Sequence, residues 1–156
     1  MENNNEMIKG LYETHVFVEN LERSKEFYEQ TLGLKICKHY EDLRATLYWV
    51  GKPKQSFIGI WEKPRELLEK RHFAFESTKE FILKKSIKFF KNNNIRVRDA
   101  FHLSEKEPIV FAWLPAISIF FQDPDDNSLE LIAPLNEKPK PELGILTYTD
   151  WELKKK

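Results

Sequence analysis

A single cysteine, Cys37, stands among the 156 residues of this chain. That excludes an intrachain disulfide framework and suits a reducing cytosol. No apolar run approaches the roughly 20 residues needed to span a bilayer. The opening Met1-Glu2-Asn3-Asn4-Asn5-Glu6 has no signal-peptide core. The expected location is therefore cytoplasmic, with no membrane partner. Neither sign of charge is in excess, 25 Lys and Arg facing 25 Asp and Glu, so no global basic field exists to recruit nucleic acid. Local runs such as Lys84-Lys85 and Lys154-Lys155-Lys156 read as solvated faces or tail. No G-x-G-x-x-G, P-loop or G-x-S-x-G motif occurs, which argues against dinucleotide, nucleoside-triphosphate and serine-hydrolase chemistry. What remains is a globular composition, 41% apolar and 13% aromatic, long enough for one domain with a substantial core or two small fused modules.

The pattern of elements repeats. Residues 1–9 read as a flexible arm and residues 10–18 as a strand. Asn20 then caps an amphipathic helix from Leu21 to Leu32, ended by Gly33 and burying Ser24, Phe27, Tyr28, Thr31 and Leu32. Three strands follow, over 34–40, 44–50 and 56–62, before a polar connector over 64–70 with room for one helical turn. The order then begins again: a strand at His72 to Glu76, a helix capped by Ser77 or Thr78 and running to about Asn92, and strands near 95–101, 109–113, 117–122 and 128–133. The second helix should bury Ile82, Leu83, Ile87 and Phe90, and Pro115 should mark a bulge or bend. Residues 135–156 form a tail whose later apolar residues and Trp151 dock on the body or on a second subunit. The repeat, about 57 residues long, is too short for a solenoid array and natural for paired half-barrel modules.

His15, His72 and Glu130 each interrupt an apolar strand-like run, at intervals of 57 and 58 residues. Strand alternation turns His15 away from Val16 and Val18, and Glu130 away from Leu129 and Leu131. A carboxylate in such a run is costly unless something pairs with it. Taken singly, each is an ordinary hydrogen-bonded strand residue, Glu130 having Arg96 and Arg98 as possible partners. Taken together, two imidazoles and one carboxylate in matching repeat positions point to a divalent-metal site with positions left open.

The chain resembles the glyoxalase, bleomycin-resistance and extradiol-dioxygenase superfamily, the vicinal oxygen chelate proteins. The resemblance is carried by His15-Val16-Phe17-Val18 and by Leu21, Arg23, Ser24, Phe27, Tyr28, Leu32 and Gly33 of the first helix. His72-Phe73-Ala74-Phe75 and Asp123-Pro124-Asp125-Asp126-Asn127 with Glu130-Leu131 complete it. It covers roughly residues 10 to 134 and implies an α+β fold. Two tandem β-α-β-β-β modules, about 10–63 and 71–134, would form a cup-shaped mixed sheet with helices on its convex face. In that arrangement Val16, Val18, Phe73, Phe75, Leu129 and Leu131 lie beneath the helices. The resemblance also implies metal ligation by His15, His72 and Glu130, and a homodimer whose chains can exchange modules.

Two places depart from the family pattern. Glyoxalase I has a fourth ligand on the last strand of the first module, and the equivalent place here falls at Ile58 or Gly59. Glu62 would substitute only out of register, which weakens a lactoylglutathione-lyase reading. Three ligands resemble the fosfomycin thiol transferases and extradiol dioxygenases, although Leu131-Ile132-Ala133-Pro134 does not look like the fosfomycin enzymes' continuation. Asp126 replaces the usual turn glycine, a change that an aspartate tolerates. The favoured reading is a metal-dependent lyase or isomerase, thiol transferase or dioxygenase acting on a small oxygen-rich substrate. Zn, Ni, Mn and Fe all suit the ligand set, and Glu62, Tyr48 and Tyr12 are weak candidates for the base. The rival is a non-enzymatic protein that sequesters an antibiotic-like or planar aromatic molecule in a Trp-lined cleft between subunits, some of Trp49, Trp61 and Trp113 lining the cup. His39 and His102 read as rim residues, and Cys37 as a small apolar filler.

Overall fold

The computed structural model describes residues 8–156, so most of the expected N-terminal arm lies outside the described residues. The chain divides into two compact units, residues 1–70 and 71–156. Both are α+β.

In the first unit, β1 (Glu13–Val18), β2 (Lys35–Tyr40), β3 (Ala45–Val50) and β4 (Ser56–Glu62) form one sheet in the order β1-β4-β3-β2. β1 runs parallel to β4, while β3 is antiparallel to both β2 and β4. Val16, Val18, Ile58, Ile60 and Tyr48 are fully buried on the face covered by the helix. Alternation sends His15, Phe57, Gly59 and Trp61 to the other face.

The helix begins as expected. The Asn20 side chain accepts from Arg23 N at 2.8 Å, and α1 (Leu21–Lys25) buries Leu21 and Ser24. It does not continue as an α-helix to Leu32. Residues Glu26–Thr31 form a π turn, in which Leu32 N reaches Phe27 O, five residues back, at 2.9 Å. The adjacent rings Phe27 and Tyr28 are both buried there and meet edge to face at 5.1 Å. Thr31 and Leu32 are only half-buried. Gly33, at φ 76°, closes the helix in the left-handed geometry that glycine accepts without strain. Removing the cap with Asn20→Ala should lower stability by about 1 kcal/mol, read as a shift in the urea midpoint with an unchanged slope.

The second unit repeats the plan. β5 (His72–Glu76), β6 (Val97–Arg98), β7 (Ile109–Phe111), β8 (Ala116–Gln122), β9 (Ser128–Pro134) and β10 (Ile145–Thr147) form a sheet in the order β10-β7-β8-β9-β5, with β6 also on β8. β5 is parallel to β9, as β1 is to β4. Thr78 caps the helix, accepting from Phe81 N at 3.1 Å. The single expected helix is two, α2 (Lys79–Lys84) and α3 (Ser86–Asn92). At the break the Ser86 hydroxyl donates back to Ile82 O at 2.5 Å, a competing bond that bends helices. Ile82, Ser86 and Phe90 are buried, and Leu83 and Ile87 only half so.

The strand expected over 95–101 shrinks to Val97–Arg98. Beyond it, Asp99 Oδ1 accepts from Leu103 N at 2.7 Å and holds the chain in a loop. Trp113 and Pro115 lie in the turn joining β7 to β8, so Trp113 is exposed and not a strand residue. Asp126 adopts φ 63°, the left-handed geometry expected where a glycine is usual. The tail adds β10 to the edge of the sheet beside β7. α4 (Tyr148–Lys154) packs on both strands and buries Trp151 completely. No helix among the described residues is long and apolar enough to cross a membrane.

Candidate metal centre

The second unit brings three polar side chains together from three adjacent strands. Antiparallel register sets Phe120 opposite Glu130, and Ser118 lies two residues before Phe120 on the same face. Parallel register sets His72 opposite Ser128, two residues before Glu130. Three side chains therefore meet. Ser118 Oγ donates a short hydrogen bond to Glu130 Oε1, and His72 Nε2 stands 3.3 Å from Glu130 Oε2. Glu130 is 4% exposed and Ser118 fully buried, whereas the His72 side chain is half exposed. Burial pushes the Glu130 carboxyl above its ordinary range, opposed by the Ser118 bond and the neighbouring His72.

The proton positions on His72 follow from its other nitrogen. Nδ1 lies 2.9 Å from Ser128 O, and a carbonyl only accepts, so Nδ1 carries the hydrogen. In the neutral ring Nε2 is then a bare lone pair aimed at a carboxylate. The 3.3 Å gap between that nitrogen and the carboxylate oxygen is bridged by a proton, as an imidazolium–carboxylate pair, or by a metal ion in its place. Two ligands of one tetrahedral ion at usual N and O bond lengths lie about 3.3–3.5 Å apart. A ligating histidine also commonly donates its far N–H to a carbonyl. His72 and Glu130 thus fit a divalent ion.

His15 is arranged differently. Its Nδ1 accepts from Trp61 Nε1 at 2.9 Å, and its Nε2 has Glu13 Oε2 at 3.7 Å. The pair lies over Gly59, where a Cβ would collide with His15 Nδ1 and sit 2.8 Å from Trp61 Nε1. Register explains the pairing and corrects an expectation. His15 is opposite Gly59 as His72 is opposite Ser128, so the residue two further on, Trp61, occupies the place that Glu130 holds in the second unit. The fourth-ligand place is therefore Trp61 and neither Ile58 nor Gly59. Within either unit, among the described residues, no three His, Cys, Asp or Glu side chains gather closely enough to hold one ion.

The base candidates are scattered. Glu62 faces the helix, its carboxylate bound by Arg44 Nε at 3.0 Å, Arg44 Nη2 at 2.9 Å and Leu21 N at 2.7 Å. Those bonds, from Arg44 first, hold its carboxyl below the ordinary value. Tyr48 is buried on the same helix face, its hydroxyl without a hydrogen-bond partner among the described residues, and burial pushes its phenol up. Both lie on the opposite side of the sheet from His15. Tyr12 is exposed and meets Phe57 edge to face at 5.8 Å. His39 is held by Thr46 and Glu41 at 2.8 Å each.

Sequence reasoning missed two features of the second unit. The Ser118 contact has no local signal, since the two residues are 12 apart and meet only through strand pairing. An aromatic file also runs away from the carboxylate: His72 stacks on Phe120 at 5.6 Å, Phe120 meets Phe101 at 5.7 Å, and Phe101 meets Phe111 at 5.7 Å. Trp113 follows at 6.1 Å from Phe111. Phe101 comes from the loop that replaced the expected strand.

Comparison with known proteins agrees with this architecture. Residues 10–131 match the Glyoxalase/Bleomycin resistance protein/Dioxygenase superfamily, and the chain belongs to that superfamily. Its fold is similar to that of an integron cassette protein, HFX_CASS4, from the mobile metagenome of the Halifax Harbour sewage outfall. The two are 28% identical with a TM-score of 0.69, over 81% of this chain and 99% of that one. Lactoylglutathione lyase from Agrobacterium tumefaciens shares the fold at 16% identity and TM-score 0.62, over 81% and 95% of the two chains. The fosfomycin resistance protein FosX from Mesorhizobium loti does so at 20% and 0.57, over 83% and 96%. No protein of curated function matches the sequence.

Proposed function

We propose that this protein is a metal-dependent enzyme of its superfamily acting on a small oxygen-rich molecule. The observation that carries the reading is the His72–Glu130 pair. Its Nε2 and a carboxylate oxygen face each other at 3.3 Å, the spacing of two ligands on one ion, while Nδ1–H is engaged by Ser128 O. Zn, Ni, Mn and ferrous iron all suit such an N/O set. A bound divalent ion would supply a Lewis acid that holds substrate oxygens and stabilises negative charge building on them. Ser118 fixes one oxygen of Glu130 and leaves the other free to ligate. Phe120 keeps the His72 ring flat against it and, with Phe101, offers an apolar wall for the rest of the substrate.

The family resemblance supplies His15 as a further ligand, contributed within the chain or by a second copy in an exchanged homodimer. Lyase or isomerase, thiol-transferase and ring-cleaving dioxygenase chemistry all start from a chelated substrate of this kind. A cytoplasmic setting accords with the single free Cys37.

Metal analysis of the purified protein, followed by His15→Ala and His72→Ala, tests the proposal. His72→Ala should remove bound metal together with any metal-dependent turnover. A protein that holds no metal, yet binds planar aromatic molecules equally well in both variants, would instead be a sequestering protein without catalysis.

A further inference from the structure

We infer that Trp61 is a positioning residue that locks His15 in the tautomer unable to ligate through Nε2, and so opposes metal capture by this chain. The inference rests on the metal-dependent reading above. An indole N–H is a donor only, so His15 Nδ1 must accept from Trp61 and its ring proton must sit on Nε2. The Glu13 carboxylate, 3.7 Å from that Nε2, stands on the side where this tautomer puts the hydrogen. A neutral imidazole ligating through Nε2 needs its proton on Nδ1, where it would meet the indole N–H head on. His15 joins an ion through Nε2 only by giving up Trp61.

The contrast with the second unit is built into the repeat. Corresponding register positions hold Glu130, an acceptor beside His72 Nε2, and Trp61, a donor beside His15 Nδ1. Gly59 completes the lock, because any side chain there would push the two rings apart. A hydrogen bond made before ligation and lost on ligation subtracts directly from affinity, by about one hydrogen bond's net worth.

The experiment titrates Zn²⁺ and Mn²⁺ alone into the full-length wild type, Trp61→Phe, His15→Ala, the Trp61→Phe/His15→Ala double variant and His72→Ala. Trp61→Phe should tighten binding by about tenfold, and the gain should vanish in the His15→Ala background. Long-range ¹H–¹⁵N correlation of the metal-free wild type, at a pH where imidazoles are neutral, should place the His15 proton on Nε2; this needs no substitution. Unchanged or weaker binding in Trp61→Phe, or a proton found on Nδ1, overturns the lock. Loss of binding in His72→Ala reports separately on the metal reading. An ion that needs His72 but ignores Trp61 sinks only the lock, whereas an ion indifferent to His72 sinks the metal reading itself.

Discussion

Glu130→Gln should cost the protein at least 100-fold in affinity for a divalent ion without lowering the thermal midpoint of the metal-free protein. The first part follows from ligand chemistry: the charged oxygen facing His72 at 3.3 Å becomes a neutral amide, and even outer-shell partners of a metal are worth about 10- to 100-fold. The second follows from burial. Glu130 is 4% exposed, and its desolvated charge is a burden on the folded state that burial of the carboxyl already signals. Glutamine keeps an oxygen for the Ser118 hydroxyl and removes the charge. A variant that loses metal but not stability marks a residue kept for its chemistry, as functional sites often are. A marked fall in the metal-free midpoint, measured after chelator treatment, would instead make His72–Glu130 a structural ion pair.

Trp151→Ala is the substitution with the largest expected effect on stability, about 3–5 kcal/mol. Its indole is fully buried by the helix that closes the chain, and that helix packs on β10 and β7. Ala leaves a void of aromatic size where the final segment meets the sheet. The indole Nε1 has no hydrogen-bond partner among the described residues, so Trp151→Phe removes an unpaired N–H as well as some bulk. The Phe variant should therefore lie much closer to wild type than the Ala variant. Chemical denaturation of the three proteins checks the order, and equal losses in both variants would show that the N–H matters more than the volume.

The strands were the most legible part of the chain. Ser56–Glu62 and His72–Glu76 fall where alternation places them, because a two-residue period records which face is buried. Asn20 and Thr78 were readable as caps for the same local reason, each bonding an amide three residues on. The π turn after Lys25 and the break at Lys85 were not. The break accompanies the Ser86 back-bond to Ile82 O, and the apolar spacing at both places is compatible with an unbroken α-helix. Ser118 and Phe101 escaped for another reason. Their contacts cross strand pairings or a loop, and nothing in their immediate neighbours distinguishes them.

By itself the sequence determined two strand–helix–strand modules and the faces on which His15, His72 and Glu130 project, since alternation and capping act between near neighbours. Only the tertiary structure decided what each imidazole nitrogen meets. His72 turns Nε2 to a carboxylate, and His15 receives an indole hydrogen. That difference is set by the register between strands more than 40 residues apart in sequence, and proton positions follow from the partner found there.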